Sequence, residues 1–191
     1  MSEVIADHQP VARQPVLVTE RLRLRPFNPS DAALIGLYAS DARVARMTTA
    51  IPHPYPPGTA EAFVERTRTR PGDKTVWALD AGADQENGLV GLISLCRRVI
   101  EREVTGAIGY WVAPAFWGTG YASEAVEAVV AHATRLGFSA LVAQAFQDNA
   151  ASIKVLSRAG FGYVGEGELH SVARGAMVPT FRYRLDLSAA S

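Results

Sequence analysis

Apolar and polar positions alternate from Val16 to Arg25 in the manner of a half-buried strand. Val16-Leu17-Val18 is followed by Leu22-Arg23-Leu24-Arg25, and Pro26 ends the run. Pro29-Ser30-Asp31 is a helix start: Ser30 can cap it, and Asp31 suits the positive end of the dipole. Leu34, Leu37 and Tyr38 follow at helical spacing. A proline-rich loop, Ile51 to Gly58, precedes a second helix that opens at Thr59 and is stopped by Pro71-Gly72. Three strand-like runs come next, at 75–79, 89–96 and 105–112. The turns between them, at Gly82, Asn87-Gly88 and Glu101-Arg102-Glu103, are short enough to predict antiparallel neighbours. From Gly120 to Leu136 the period lengthens to about 3.6. Ala122, Val126, Val129, Ala133 and Leu136 share a face there, and Gly137 stands where a C-cap belongs. Residues 140–146 read as strand and 149–158 as helix stopped by Gly160. Residues 161–165 and 181–187 read as two strands joined by a polar, glycine-containing loop.

The predicted order is β-α-α-β-β-β-α-β-α-β-β. Adjacent strands with short turns, then a strand-helix-strand crossover, predict an α/β (α+β) domain. Its sheet is mixed, of about seven strands, with helices on both faces. A chain of 191 residues suits one such domain, assigned to residues 16–187. Residues 1–15 read as a loose tail and 188–191 as a short C-terminal one.

Charge and cysteine usage narrow the classes. Nineteen Lys and Arg balance nineteen Asp and Glu, so no overall field draws the chain to nucleic acid. Cys96, the single cysteine, excludes an internal disulfide and a cysteine-built zinc site. It lies in an apolar strand, where a core position is expected. His8, His53, His132 and His170 have no metal-ligand spacing, so no metal is expected. No apolar run approaches the roughly 20 residues that span a bilayer, and residues 1–14 lack a signal-peptide core. The expectation is a cytoplasmic chain with no membrane partner.

The chemistry gathers in Gly109-Tyr110-Trp111-Val112, followed by Trp117-Gly118-Thr119-Gly120-Tyr121-Ala122. A strand ends, a loop with two close glycines follows, and a long helix begins. Glycines there allow positive φ and close approach of a ligand. The helix start behind them offers free N–H groups and a positive dipole end, which together suit phosphate. A bare tight turn is the plain alternative. A dinucleotide fingerprint would need its third glycine at Ser123, and the intervening loop holds Pro114. No Gly-Lys-Ser/Thr follows, which excludes a P-loop.

The whole segment resembles the acyl-CoA-binding motif of the GNAT N-acetyltransferase superfamily. More narrowly, it is similar to the branch of ribosomal-protein N-terminal acetyltransferases. Five blocks carry the resemblance in order: Thr19 to Pro26, Pro52-His53-Pro54-Tyr55, Gly109 to Val112 with Trp117 to Ala122, Asn149 to Leu156, and Ala159-Gly160-Phe161. The resemblance implies splayed central strands and a single acyl-CoA N-acyltransferase domain, with acetyl-CoA as co-substrate.

It also implies roles. Trp117, Gly118, Thr119, Gly120, Tyr121 and Ala122 would hold the pyrophosphate, mostly through backbone N–H groups. Tyr110 and Val112 would meet the pantetheine arm as an added strand does. The Val112 N–H would also polarise the thioester carbonyl. Asn149 would bond the pantetheine, and the Ser152 hydroxyl would protonate the departing thiolate. The plain alternative makes Asp148 or Asn149 a helix cap. Lys154 or Arg158 would meet the 3′-phosphate. His53, Tyr55 and Trp111 would shape the acceptor site. Relatives often carry a carboxylate base where this chain has Ala107. Substitute bases are Glu103, on the same strand, and Glu168 or His170, in the late loop; histidine titrates near neutrality. The implied reaction is direct attack on acetyl-CoA by a primary amine, a protein N-terminus or a small molecule. Ala107 also motivates a non-catalytic acyl-CoA-binding regulatory module on the same fold. The assembly expected is a monomer or homodimer.

Overall fold

A computed structural model describes residues 14–69, 73–82, 88–100 and 103–187. Residues 1–13 of the expected tail, the expected C-terminal tail 188–191, the Pro71-Gly72 stop, Asn87 and Glu101-Arg102 lie outside the described residues. Gln14 and Pro15, expected as tail, are held. Gln14 Nε2 donates to the Val76 carbonyl at 2.9 Å, and the Pro15 carbonyl accepts from Trp77 Nε1 at 2.8 Å.

The alternating run at the start is two strands, β1 (Leu17–Val18) and β2 (Arg23–Arg25), rather than one. Thr19 folds it: its N–H donates to the Leu22 carbonyl at 2.9 Å, and its hydroxyl accepts from the Leu22 N–H at 2.9 Å. A hydroxyl that satisfies the turn from within makes the hairpin possible without glycine. The sheet therefore has eight strands. The others are β3 (Lys74–Asp80), β4 (Leu89–Ile100), β5 (Glu103–Val112), β6 (Ala140–Phe146), β7 (Gly162–Ser171) and β8 (Ala176–Asp186). Their order is β1-β2-β3-β4-β5-β6-β8-β7, and every pair is antiparallel except β5 with β6.

Helices cover both faces. On one side α4 (Tyr121–Arg135) and α5 (Ala150–Arg158) bury Ala125, Val126, Val129, Ala133 and Leu156 against Trp77, Leu79, Ile93 and Leu141. On the other, α1 (Asp31–Ala39) and α3 (Thr59–Thr69) bury Ile35, Ala60 and Val64 against Val76, Ala78 and Leu89. The period-2 alternation in β3 sends Trp77 and Leu79 to one core and Val76 and Ala78 to the other. A short helix α2 (Ala42–Ala45) and a single 3-10 turn at Pro114–Phe116 complete the described elements.

One buried ion group locks the first helix to the sheet. Arg25 donates to Asp31 through two bonds, at 2.7 and 2.9 Å, and to Asp80 at 2.7 Å. The Asp31 bonds raise the guanidinium pKa, and the Asp80 bond adds to this against the opposing pull of burial. Asp31 also accepts the Asn28 N–H at 2.7 Å, which closes the turn before α1, while Ser30 stands at the N-cap as expected but its side chain makes no cap bond.

Other expectations also shift. Leu136 is exposed at the C-cap, beyond the buried face of α4, while Gly137 adopts the expected positive φ of 76°. Cys96 is only half-buried, because its strand runs past the end of the core. The last two strands extend into a hairpin closed by a turn at 172–175. Glu168 and His170 therefore stand in β7, paired with Pro179 and Met177, rather than in a loop.

Removing one partner from the buried ion group leaves an unpaired charge. Asp31→Ala is expected to cost about 3–5 kcal/mol of stability, read as a lower urea midpoint. Ser30→Ala is expected to cost under about 0.5 kcal/mol.

Candidate active site

The site begins where a sheet stops pairing. Parallel β5 and β6 are joined only over Thr105–Ala107 and Ala140–Val142. Beyond these residues they splay, and β5 keeps β4 as its partner through Val112. The Ser139 N–H donates to the Val104 carbonyl on the β6 side, and the Ala113 N–H donates to the Val90 carbonyl on the β4 side. Backbone groups alternate in direction along a strand. Those of Ile108, Tyr110 and Val112 therefore point toward β6, into the wedge, where no strand meets them. Unpaired backbone of this kind can accept an extended, amide-bearing arm as an added strand.

Tyr110 and Ser152 meet at this wedge. Their hydroxyl oxygens are 2.9 Å apart, and the phenol also reaches the Ser152 carbonyl at 3.3 Å. Burial pushes the Tyr110 phenol up to about 12, against a smaller lowering effect of the Ser152 bond. The phenol thus keeps its proton at neutral pH. Asn149 caps α5: its Oδ1 accepts the Ser152 N–H at 3.1 Å. The capping alternative is the one its oxygen follows, and this bond fixes the turn on which Ser152 sits. Asp148 takes no part in the cap; it pairs with Arg174.

The glycine loop closes the outer end of β5. Gly118 and Gly120 have φ of 76° and 90°, and Gly120 occupies the N-cap of α4 with no side-chain cap. The Thr119 hydroxyl donates to the Phe116 carbonyl at 2.7 Å, which turns that side chain back onto its own loop. Trp117 Nε1 donates to the Val112 carbonyl at 2.7 Å, which ties the loop to the strand end and leaves the Val112 N–H as that residue's free group. Tyr121 and Ala122 are half-buried in the first turn of α4.

Sequence reasoning missed the cation at this loop. Arg21 Nη1 donates to the Thr119 carbonyl at 2.9 Å, its guanidinium lies 5.0 Å from the Tyr121 ring centre, and Glu124 pairs with it at 2.7 Å. Burial alone would push the Glu124 carboxyl up. Bonds from the Thr19 hydroxyl and from Arg21 together outweigh this and hold it below its ordinary value. A groove of about 780 Å³ beside the loop is lined by Thr19, Arg21, Gly120, Ser123 and Arg158, among others. The Thr19-Glu20-Arg21 block was legible, but nothing in its spacing joined it to a loop about a hundred residues away.

The remaining candidates separate. Trp111 points to the opposite face from Tyr110 and packs with Tyr55 against the α1–α3 core. His53 is exposed on the proline-rich loop. Lys154 is exposed on α5. Glu103 does not reach the wedge. It begins β5, seven residues before Tyr110, and lies 3.5 Å from Arg184; at about 3.3 Å per residue the strand carries it more than 20 Å away. His170 and Glu168 are exposed on β7. Among the described residues no group of three or more His, Cys, Asp or Glu is placed to hold a metal ion, and no helix is long and apolar enough to cross a membrane.

A family model described as an acetyltransferase (GNAT) domain matches residues 21–162. The uncharacterized N-acetyltransferase YoaA of Bacillus subtilis (strain 168) is 29% identical over 157 residues, 77% of this chain and 82% of that protein. Among solved structures, the ribosomal L7/L12 alpha-N-protein acetyltransferase RimL in complex with coenzyme A superposes with a TM-score of 0.76. It is 20% identical, and the match covers 92% of this chain and 100% of that one. A spermidine N-acetyltransferase from Vibrio cholerae in complex with CoA and spermine gives a TM-score of 0.72 at 14% identity, covering 90% and 98%. At these identities the structural likeness shows the fold.

The raised Tyr110 value has a measurable consequence. The fold holds the neutral phenol, so its contribution is complete below about pH 10, the unfolded value. It is lost as pH rises through about 12 in the fold. Thermal melts should show stability falling over that window in the wild type and falling less in Tyr110→Phe.

Proposed function

The chain belongs to the GNAT acetyltransferase family, and from that premise we propose that it is an acetyl-CoA-dependent N-acetyltransferase acting on a primary amine by direct attack. The single observation that carries this reading is the wedge between β5 and β6, with the Tyr110–Ser152 hydroxyl pair inside it and the glycine loop at its outer end.

Acetyl-CoA supplies an electrophilic thioester carbonyl and a thiolate leaving group. The residues present suit it. The N–H groups of the loop from Trp117 to Ala122, a helix start and the nearby Arg21 suit the pyrophosphate. Gly118 and Gly120 add no side chain there, and a Cβ on Gly120 would stand 3.1 Å from Arg21 Nη2. Arg158, across the groove, is our candidate for the 3′-phosphate. Backbone groups of Tyr110 and Val112 align the pantetheine, with the Asn149 side chain beside them, and the Val112 N–H polarises the carbonyl. Ser152 donates its proton toward the departing sulfur, and the Tyr110 phenol, still protonated at neutral pH, resupplies it.

The acceptor enters from the face that carries Trp111, Tyr55 and His53. With Ala107 on β5 and Glu103 at its far end, no carboxylate on that strand serves as base. An amine that is already partly neutral needs the least help. An α-amine titrates near 7.7–8.0 and is about a tenth neutral at pH 7, whereas a lysine, at about 10.4, is almost wholly charged. We therefore favour a protein N-terminus or a small amine of low pKa. Ala107 also motivates the second reading, a module that binds acyl-CoA without turnover.

CoA release from acetyl-CoA, measured against peptides with free or blocked N-termini and a panel of small amines, tests this directly. Ser152→Ala should lower kcat on the order of a hundredfold and leave the KM for acetyl-CoA within about twofold. Gly120→Glu should abolish acetyl-CoA binding. Binding without turnover on any amine would favour the module, and unchanged binding by Gly120→Glu would remove the loop from the site.

A further inference from the structure

The segment from Asp41 to Thr49 links the glycine loop to the β7–β8 turn. At one end the Arg43 guanidinium lies 5.5 Å from the centre of the Trp117 ring, on the glycine loop beyond β5. At the other end the segment is bonded to the β7–β8 turn. The Thr48 carbonyl accepts from the Ser171 hydroxyl at 3.3 Å, and the Thr49 carbonyl accepts from the Val172 N–H at 3.0 Å. This strap therefore ties the loop that follows β5 to the hairpin that pairs with β6, on either side of the point where β5 and β6 stop pairing.

One side chain joins the strap to the catalytic turn. Arg174 Nε donates to the Arg46 carbonyl at 2.8 Å. Its two terminal nitrogens donate to the two Asp148 oxygens at 2.8 and 3.1 Å. Its guanidinium lies 4.9 Å from the Phe146 ring centre, and its side chain is only 14% exposed. The Arg174 bonds hold the Asp148 carboxyl below its ordinary value against a smaller effect of burial. Asp148 immediately precedes Asn149, which caps the Ser152 N–H. The hairpin turn, the strap and the start of α5 thus meet on a single planar fork. A lysine cannot reproduce that, because one ammonium cannot serve a backbone carbonyl and both oxygens of a carboxylate in these directions.

Resting on the acetyltransfer reading above, we propose that Arg174 is a positioning residue. It sets the acceptor wall, Arg46 to Thr49, at a fixed distance from Ser152, and so decides whether the amine arrives in line with the thioester. Small misplacements of this kind cost orders of magnitude in rate. The loss should fall on the acceptor more than on acetyl-CoA, because Arg174 bonds the strap and the turn before α5 while the glycine loop is held by Arg21.

Arg174→Ala, Arg174→Lys and Asp148→Asn in the full chain test this with two readouts. In hydrogen exchange, Arg174→Ala should speed exchange at the strap amides of Met47 and Thr48, at Val172 and at Ser152, leaving the buried turns of α4 unchanged. In kinetics, kcat/KM for the amine should fall tenfold or more while the KM for acetyl-CoA stays within about twofold. Arg174→Lys should recover little of this, and Asp148→Asn should lie between. Faster exchange confined to residues 172–175, or an equal loss for amine and acetyl-CoA, would overturn the proposal. If Arg174→Ala does not fold, the Asp148→Asn exchange pattern decides it. Should the wild-type chain release no CoA with any amine, the acetyltransfer reading falls by itself. The exchange pattern then still decides whether Arg174 couples the strap to the turn before α5.

Discussion

Three residues of pairing between β5 and β6 are the constraint on which the rest depends. The parallel ladder from Thr105 to Ala107 holds the two halves of the sheet together. Its end at Ala107 leaves the next β6-facing backbone groups without a strand partner. A longer ladder would satisfy Ile108, Tyr110 and Val112 internally and leave no site. A shorter one would separate the α4 core from its support in β6 and β8. The same divergence gives Tyr110 and Ser152 room to meet from a strand and a helix that are distant in sequence.

Electrostatics around this wedge is local. The chain is neutral overall, yet Arg21 stands at the glycine loop and Arg174 at the turn before α5. Each is paired with one carboxylate, Glu124 and Asp148 respectively. Both use the guanidinium as a connector between elements distant in sequence, satisfying a backbone carbonyl and a carboxylate at once. The buried Arg25 does the same for α1, with Asp31 and Asp80. Neutral net charge is therefore compatible with a highly anionic co-substrate, because oriented N–H groups and a few fixed cations supply the field where it is needed.

Much of the fold was legible. The 3.6 period of α4, the glycine at its C-terminus, the strand runs of β3 to β6 and the capped start of α5 are local signals, and each element forms where its own residues favour it. The glycine loop was legible for the same reason: positive φ at Gly118 and Gly120 is a property of the residues themselves. Where reading failed, a distant partner decided. Thr19 splits one alternating run into two strands. Ser30 holds the N-cap of α1 without a cap bond, while Asp31 is drawn inward to Arg25 and the Asn28 N–H. The polar stretch through Glu168 and His170 becomes strand because β8 offers a ladder that sequence polarity does not announce.

By itself the sequence determined the order of elements, the phosphate-suited loop and the pairing of a neutral chain with a single cysteine. These depend on backbone preference and periodicity, which act over a few residues. Tertiary structure alone decided which chemical groups share a site. It placed Tyr110 against Ser152, removed Glu103 to the far end of its strand, and brought Arg21 and Arg174 to opposite ends of the wedge. Such choices follow from where a parallel ladder ends and which carbonyls are left for a guanidinium to reach, and no local pattern in the chain encodes either.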